Sequence, residues 1–371
     1  MRSPVRTAMT LLLSMSVSIL AACNNHPYQQ IQPHPQFAYV AHTDSNDVSA
    51  YSINPTTGAL TPVSGSPFPT GRSPASVTVN PAGTFVYVTN GASNDVSAYS
   101  INQTTGALTE IPGSPFPTGI LSNSVTINHA NTFAYVSSGL NIIVYSINPT
   151  TGALTEIPDS LFRTERFSNS VTINHADTFA YVSSYTKDNI TAYSINPATG
   201  ALTEIPGSLF PTGRMPSSVT INPADTFAYV ANEDSNNVSA YSINQTTGAL
   251  TQIPGSPFPT GRRPSSVTIN PAGTFAYVAN EESNNVSAYS INPTTGALTQ
   301  IPGSPFAAGT GSGSTSFTLN PAGTFAYVSS YVKDNIIVYS INPTTGALTE
   351  TQGSPFPTGG WRPTSIVVTQ P

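Results

Sequence analysis

Short runs in which hydrophobic and polar residues partly alternate recur along the chain in groups of four. In the unit that begins at Ser266 these runs are SVTIN, FAYVAN, NVSAYSIN and ALTQIPGSPF. Valine, isoleucine, phenylalanine, tyrosine and threonine dominate the first three runs, and no run carries a helical stripe of useful length. The pattern predicts an all-β protein built from four-stranded units. We label the strands A to D in the order given.

One phrase, YSINPTTGALT or a near-copy of it, marks every unit. The copies begin at Tyr51, Tyr99, Tyr145, Tyr193, Tyr241, Tyr289 and Tyr339, so successive copies are 46 to 50 residues apart. Proline and glycine in the NPAG and NPTTGA segments supply the backbone angles that tight turns need. Four strands in a period near 48 residues are typical of a propeller blade rather than of a β-solenoid coil.

The two ends of the array complement each other. The chain enters with a strand B at residues 37–40 and leaves with a lone strand A at residues 365–369, which gives seven strands of each kind. The last strand can therefore complete the blade that the first three begin, so that no edge strand stays unpaired. We predict a single seven-bladed β-propeller domain over residues 37–371.

The wording of the repeat resembles a known family. Tyr87, Val88, Thr89 and Asn90 spell YVTN, and NPTTGALT is similar to the repeat of the lactonase-type seven-bladed propellers. That family includes 6-phosphogluconolactonase-like enzymes and, more distantly, muconate lactonizing enzymes. The resemblance covers roughly residues 37–371 and implies a propeller and a lactone hydrolase. A propeller fold by itself does not fix an activity.

The N-terminus is a different kind of sequence. Arg2 and Arg6 precede an apolar stretch of signal-peptide length, and the segment 20–23, LAAC, resembles a bacterial lipobox. We predict a lipoprotein signal peptide over residues 1–22 and, over residues 23–36, a lipidated Cys23 with a disordered tether. The alternative is an ordinary signal peptide followed by a chance cysteine. Because Asn24 rather than aspartate follows Cys23, the resemblance favours export and lipid anchoring at the outer membrane.

The composition limits the classes of binding partner that we expect. Charged residues make up 8% of the 371 residues and the net charge is −6, which gives no electrostatic reason to expect a nucleic acid. Cys23 is the only cysteine, so no intramolecular disulfide forms. We expect a monomeric propeller.

Because successive strands of a blade run in opposite directions, the loops lie on two ends of the ring. The A–B and C–D turns form one end, which we call the turn face, and the B–C and D–A loops form the other, the loop face. Nearly all charged loop residues belong to the loop face. The basic residues of the loop face are Arg72, Arg163, Arg166, Arg214, Arg262, Arg263, Arg362, Lys187 and Lys333. Its carboxylates include Glu233 and Glu281. These arginines either bind an anionic ligand or pair with neighbouring carboxylates in exposed loops.

Signals for catalysis are sparse. The chain has no GxSxG sequence and no histidine pair with zinc-like spacing. His129 and His175 replace a turn proline and are interpreted as turn variants. His42 is the one histidine at the loop face, and the histidine–acid–arginine sites of the muconate-type relatives suggest that it acts as a general base beside Asp44 and an arginine. Arg214 is the other candidate catalytic residue. A tolerated substitution is the alternative.

No cofactor is predicted. The DSND and EDSNN loops contain oxygen ligands but lack the glycine and the terminal glutamate of a calcium loop, which leaves calcium a weak alternative. Any unique pocket must form where the repeats differ, as in SSGLN, LFRTERFSNS and AAGTGSGST. Trp361, the only tryptophan, lies beside Arg362 at the closure seam, where it can stack on a sugar or cap the channel.

Two functions remain open at this point. The first and favoured one is a lipid-anchored binding or scaffolding module whose loop face recognises a polysaccharide, an anionic small molecule or an envelope protein. The near-identical blades and the lack of a convergent catalytic set favour it. The second is the lactone hydrolase that the family resemblance implies, acting on an anionic or sugar lactone.

Overall fold

The computed structural model describes residues 35–158, 162–164, 168–309 and 313–369. Cys23, the signal peptide and Arg166 lie outside the described residues, as do parts of the LFRTERFSNS and AAGTGSGST loops. In the part of the chain that is described, no helix has the length and hydrophobicity that a membrane crossing requires.

The described residues form seven antiparallel sheets arranged as a ring, which confirms the all-β seven-bladed propeller. We number the blades by the chain order of their B strands. The B strands are Gln36–His42, Phe85–Asn90, Phe133–Ser138, Phe179–Ser184, Phe227–Asn232, Phe275–Asn280 and Phe325–Ser330. The C strands are Asp47–Ile53, Asp95–Ile101, Asn141–Ile147, Asn189–Ile195, Asn237–Ile243, Asn285–Ile291 and Asn335–Ile341.

The A strands of neighbouring blades contact one another around the ring and so line its axis. From blade 2 to blade 7 they are Pro74–Val79, Ser122–Ile127, Ser168–Ile173, Pro216–Ile221, Pro264–Ile269 and Ser314–Leu319, and the A strand of blade 1 is Pro363–Val368. That last strand pairs with Gln36–His42 in antiparallel register, with Tyr39 opposite Val367. The predicted closure of the ring by the C-terminal strand is therefore confirmed.

Strand D is interrupted in every blade, a detail that the sequence pattern did not show. Its two pieces are Leu60–Pro62 with Phe68–Pro69, Leu108–Glu110 with Phe116–Pro117, Leu154–Glu156 with Phe162–Arg163, Leu202–Glu204 with Phe210–Pro211, Leu250–Gln252 with Phe258–Pro259, Leu298–Gln300 with Phe306–Ala307, and Leu348–Glu350 with Phe356–Pro357. The turn between the pieces carries proline, which has no N–H for the ladder. In that turn a serine side chain takes the place of a strand D carbonyl, since Ser114 Oγ accepts the N–H of Ala98 at 3.0 Å.

The blades are joined by a contact that recurs seven times. The tyrosine of each strand B donates its hydroxyl proton to a glycine carbonyl in the C–D turn of the next blade. Tyr181 and Gly248 make this bond at 3.0 Å. The same glycine has a φ of +73° and packs so closely on Phe179 that an added Cβ would lie 2.5 Å from the ring. The glycine of NPTTG therefore forms a joint between blades.

A second hydrogen bond runs in the opposite direction around the ring. The tyrosine of YSIN donates to a backbone carbonyl in strand D of the preceding blade, as Tyr145 does to Pro117 and Tyr241 to Pro211, each at 2.6 Å. Burial raises the pKa of these hydroxyls, to about 12 for Tyr51 and Tyr99. Within one copy of the repeated phrase, the tyrosine and the glycine thus both bond the preceding blade, so each interface between blades is tied in both directions.

Candidate functional site

The inner rim of the loop face is built from two backbone positions in each blade. One is the residue that follows strand B, and the other is the residue that precedes strand A. They are hydrogen-bonded to each other, since the N–H of Glu281 bonds the carbonyl of Arg263 at 2.9 Å and that of Glu233 bonds Met215 at 3.0 Å. Arg263 has a left-handed φ of +52°, as its counterpart Met215 does at +54°. In the blades where both positions are described, the rim backbone is therefore alike, and its side chains decide the chemistry.

Those side chains divide the rim into two halves. The position after strand B holds Thr43, Gly91 and Gly139 in blades 1 to 3, and Tyr185, Glu233, Glu281 and Tyr331 in blades 4 to 7. We call the second set the rim arc. Small residues on one side and large functional ones on the other make the loop face asymmetric, although the ring beneath it is nearly seven-fold symmetric.

The centre of the rim arc is a glutamate–arginine cluster that bridges blades 5 and 6. Arg263 Nη2 lies 3.2 Å from Glu233 Oε2 and 3.7 Å from Glu281 Oε2. The Glu233 side chain is only 13% exposed, whereas that of Arg263 is 49% exposed. We call Tyr185, Glu233, Arg263 and Glu281 the Glu233 cluster.

Burial determines the protonation behaviour of this cluster. It raises the pKa of Glu233 above the usual glutamate range, and the hydrogen bond and charge of Arg263 only partly oppose that rise. The pKa of Tyr185 is also raised, first by burial and then by the charge of Glu233, so its hydroxyl stays protonated. The two glutamates raise the pKa of Arg263, which stays charged. A carboxyl, a guanidinium and a phenol with distinct proton affinities thus meet at one place.

The other predicted arginines behave differently. Arg214 pairs with Asp234 at 2.8 Å and Arg262 pairs with Glu282 at 2.7 Å, and both arginine side chains are at least 70% exposed. These are the exposed loop pairs that the sequence offered as an alternative to ligand binding, and such pairs contribute little stability. Arg72, Lys187 and Lys333 lie on the same face and form no ion pair with another described residue.

His42 lies inside the blade rather than in a loop. It is the last residue of strand B of blade 1, its side chain is fully buried, and its Nδ1 lies 2.8 Å from Asp47 Oδ1. Asn90 has the corresponding place in blade 2 and donates its amide to Asp95 at 2.6 Å. His42 therefore makes the hydrogen bond that a sister asparagine makes. Its partner is Asp47, whereas the sequence suggested Asp44, and its role as a general base stays a prediction.

A second cluster lies at the closure seam. Trp361 is 68% exposed, and its backbone N–H donates to Ser45 Oγ at 3.1 Å. The guanidinium of Arg362 lies 5.1 Å from the centre of the Tyr331 ring and 3.4 Å from Asp44 Oδ2. With Val332 and Asp334 these residues line an open cavity of about 360 Å³, which we call the seam pocket.

Sequence reasoning named Glu233, Glu281, Arg263, Arg362 and Trp361 but missed both rim tyrosines. A comparison of the position after strand B across all seven repeats would have revealed them. Tyr185 and Tyr331 differ there from every other copy, but they resemble ordinary strand tyrosines when each repeat is read alone.

A match to the model of a known protein family establishes the family of this chain. The model described as "Lactonase, 7-bladed beta-propeller" matches residues 29–119, 124–259 and 256–312. The chain belongs to this lactonase family. No curated protein sequence matches it.

Solved structures agree with the fold of the lactonase family. A 6-phosphogluconolactonase candidate from Bacteroides fragilis aligns with a TM-score of 0.77 and 20% identity, covering 93% of this chain and 100% of that one. The periplasmic gluconolactonase of Pseudomonas aeruginosa aligns with a TM-score of 0.76 and 16% identity, covering 91% and 99%. At these identities the likeness establishes the architecture, and the chemistry must be argued from the residues of this chain.

Proposed function

We propose that this lactonase-family propeller hydrolyses a lactone at its loop face, with the Glu233 cluster as the catalytic centre. The observation that carries the proposal is the largely buried Glu233, whose pKa is raised while its carboxylate oxygen lies 3.2 Å from Arg263. A carboxyl with perturbed proton affinity beside a fixed cation is typical of a catalytic site. We therefore favour a lactone hydrolase over the binding module.

The chemistry needs a base, an anion-stabilising group and a proton donor. In hydrolysis a water oxygen forms a bond to the lactone carbonyl carbon while the water proton passes to Glu233, which the raised pKa makes a better base. Arg263 stabilises the negative charge that develops on the carbonyl oxygen. The ring C–O bond then breaks, the leaving alkoxide takes a proton from Tyr185 or from protonated Glu233, and a hydroxy acid results. Arg263 also suits the product carboxylate.

The substrate class follows from the polarity of the site and from the predicted export. Phenol, carboxylate and guanidinium groups hydrogen-bond readily to hydroxyl groups, which favours a sugar lactone. The name of the Pseudomonas aeruginosa protein points to the same class, since that protein is a periplasmic gluconolactonase. Because phosphorylated sugar lactones are cytoplasmic metabolites, we propose an unphosphorylated aldonolactone for an exported enzyme.

The test is a lactone panel with matched variants. The chain from residue 24 onward is assayed with aldonolactones, a phosphorylated aldonolactone and simple aliphatic lactones, with proton release as the signal. We expect Glu233→Gln to lower kcat/KM by about 10²–10⁴-fold and Arg263→Gln by a similar factor. Arg262→Gln is the matched control, since Arg262 is adjacent in sequence and pairs only in an exposed loop.

The pH profile gives a second readout. Activity falls as the pH drops through the raised pKa of Glu233, because the base is then protonated, and this limb disappears in Glu233→Gln. If no lactone is turned over, or if Arg263→Gln and Arg262→Gln behave alike, the Glu233 cluster is not the active site.

The seam pocket favours a second candidate function, the binding of an envelope polysaccharide. An exposed tryptophan on a hydrogen-bonded backbone beside Asp44, Asp334 and Arg362 offers a flat stacking surface with polar groups at its edge. Binding of purified envelope glycans that is lost in Trp361→Ala, with lactone turnover unchanged, would separate this function from catalysis. Binding that Trp361→Ala leaves unchanged would exclude the pocket.

Membrane anchoring through Cys23 is part of the same proposal. In a bacterial host, radiolabelled fatty acid should be incorporated into the wild-type chain and not into Cys23→Ala. The wild-type protein should fractionate with the outer membrane. Equal labelling of both chains would exclude Cys23 as the attachment site.

A further inference from the structure

Two neighbouring blades carry histidines on the turn face, where the other A–B turns carry proline. His129 belongs to the A–B turn of blade 3 and His175 to that of blade 4, in place of residues such as Pro81 and Pro223. Their imidazole rings lie side by side, with centroids 4.6 Å apart and planes 32° from parallel. Both side chains are 43% exposed. The loop-face chemistry described above makes no use of this pair.

Each imidazole is held by an aspartate of the following blade. His129 Nδ1 lies 3.2 Å from Asp177 Oδ1, and His175 Nδ1 lies 3.0 Å from Asp225 Oδ1. The same two carboxylates accept the backbone N–H groups of the histidines at 2.8 and 2.9 Å, which fixes them in place. Metal-binding histidines commonly donate one ring N–H to a carboxylate in this way and bind the ion through the other ring nitrogen, here Nε2.

Repeat symmetry orients the two rings alike. Asp177 and Asp225 occupy the same turn position in successive blades, each with a left-handed φ of +55°, and they bind equivalent atoms of the two histidines. The Nδ1 edges therefore both face the aspartates of the next blade, and neither aspartate engages an Nε2 atom. Two neighbouring imidazoles, each with its Nδ1 on a carboxylate, can offer their Nε2 atoms as donors to one ion.

We propose that His129 and His175 bind one divalent first-row transition-metal ion, such as Zn²⁺, Ni²⁺ or Cu²⁺, through their Nε2 atoms. Imidazole nitrogen is a preferred donor for these ions, and a carboxylate on the other ring nitrogen strengthens it. With metal–nitrogen bonds of about 2.0–2.1 Å, the two Nε2 atoms of a tetrahedral site lie roughly 3.3 Å apart. The ring centres are 4.6 Å apart, so binding of one ion would require side-chain rotations that bring the two Nε2 atoms to that separation.

The surroundings leave coordination positions open. No group of three histidine, cysteine, aspartate or glutamate side chains in the described chain is placed to hold a metal, so the ion takes two protein ligands and completes its shell with water or a bound molecule. His175 also lines a cavity of about 310 Å³ at the turn-face mouth of the channel, together with Pro223 and Pro271. A ligand of the metal would enter from that cavity.

The structural alternative is that the histidines only supply backbone N–H groups, which proline lacks, for the ties to Asp177 and Asp225. Alanine at either position keeps that N–H and removes the imidazole. Substitution to alanine therefore separates the metal site from the inter-blade tie.

The test is calorimetric titration of the chain from residue 24 with ZnCl₂, NiCl₂ and CuSO₄, combined with the electron paramagnetic resonance of bound Cu²⁺. We expect one equivalent of metal, a spectrum with two nitrogen donors, and loss of binding in His129→Ala and in His175→Ala. Asp177→Asn should weaken binding by about 10–100-fold. The double variant His26→Ala/His34→Ala, which removes the two tether histidines, should bind as wild type does.

Several results would overturn the metal site. These are the absence of binding, stoichiometric binding that both single alanine variants retain, or binding that is lost with the tether histidines. Thermal unfolding without metal shows whether each variant is folded, and the wild-type Tm should rise with added metal while that of the alanine variants does not. None of these readouts depends on lactone turnover, so the metal site and the proposed activity can fail separately.

Discussion

Substitution of the joint glycine tests whether the inter-blade contacts stabilise the ring. In Gly248→Ala the new Cβ would lie 2.5 Å from Phe179 Cδ1, and the residue would keep a φ of +73°. Both effects oppose the native turn, and any shift of the turn also weakens the hydrogen bond from Tyr181 to the Gly248 carbonyl. The structure offers a matched control in the same blade. Gly255 has a φ of +87°, but a Cβ added there would lie 3.7 Å from its nearest neighbour, Phe258.

The expected magnitudes follow from these geometries. The left-handed backbone costs an alanine about 1–2 kcal/mol at either position. Overpacking against a buried ring adds about 1–3 kcal/mol at Gly248 alone, and the weakened hydrogen bond adds about 1 kcal/mol. We therefore expect a loss of about 3–6 kcal/mol for Gly248→Ala and about 1–2 kcal/mol for Gly255→Ala. At about 2 °C per kcal/mol for a chain of this size, Tm falls by about 6–12 °C and 2–4 °C.

The assay is thermal unfolding of the two variants and wild type, followed by calorimetry and by tyrosine fluorescence. Tyr181→Phe is a complementary variant, because it keeps the ring volume and leaves only the Gly248 carbonyl without its donor. If Gly248→Ala and Gly255→Ala lower Tm equally, the close contact between Gly248 and Phe179 does not stabilise the ring. The reasoning about the repeated phrase would then be refuted.

Three further predictions follow from the same structure. Burial raises the pKa of Tyr51 to about 12, above the value of about 10 in an unfolded chain, so the native state holds more protons and its stability should fall as the pH rises from about 10 to 12. Phenolate absorbance should appear together with unfolding. Deletion of residues 363–371 exposes the edge of Gln36–His42 and should cause aggregation, whereas deletion of residues 370–371 should not. Glu233→Gln should raise Tm relative to wild type at pH 8 and not at pH 4. The pKa of Glu233 is raised in the folded state, which means that the ionised carboxylate opposes folding. An equal change of Tm at pH 8 and pH 4 would contradict this prediction.

The sequence was sufficient for the architecture because the repeat encodes it redundantly. Turn residues such as Pro81 and Gly83 mark the same connections in each unit, and the unmatched strands at the two ends leave one way to close the ring. The interruption of strand D escaped prediction, since it depends on a hydrogen bond between strand C and a turn serine 16 positions away, such as that of Ala98 with Ser114. The joint between Tyr181 and Gly248 escaped as well, because the contact links residues of two blades 67 positions apart.

The candidate sites were predictable only in part, for a related reason. Composition and strand alternation placed the charged residues on one face, but they could not distinguish Arg263, which bridges two glutamates, from Arg262, which pairs in an exposed loop. Adjacent residues in sequence differ here in the direction of their side chains across a blade interface. His129 and His175 show the same limit, since each alone fits a turn variant and only their 4.6 Å separation indicates a shared site.

The division between uniform and variable positions explains how so repetitive a chain can be asymmetric. The joints require the same tyrosine, phenylalanine and glycine in each blade, because every blade must fit both of its neighbours. The position after strand B carries no such constraint, since its side chain lies at the rim and its backbone contact is independent of residue type. Residues as different as Gly91, Tyr185 and Glu233 therefore occupy equivalent places without disturbing the ring. Different residue types can therefore meet in one site only at positions that the inter-blade contacts do not constrain. The Glu233 cluster occupies such positions on three successive blades, 4 to 6.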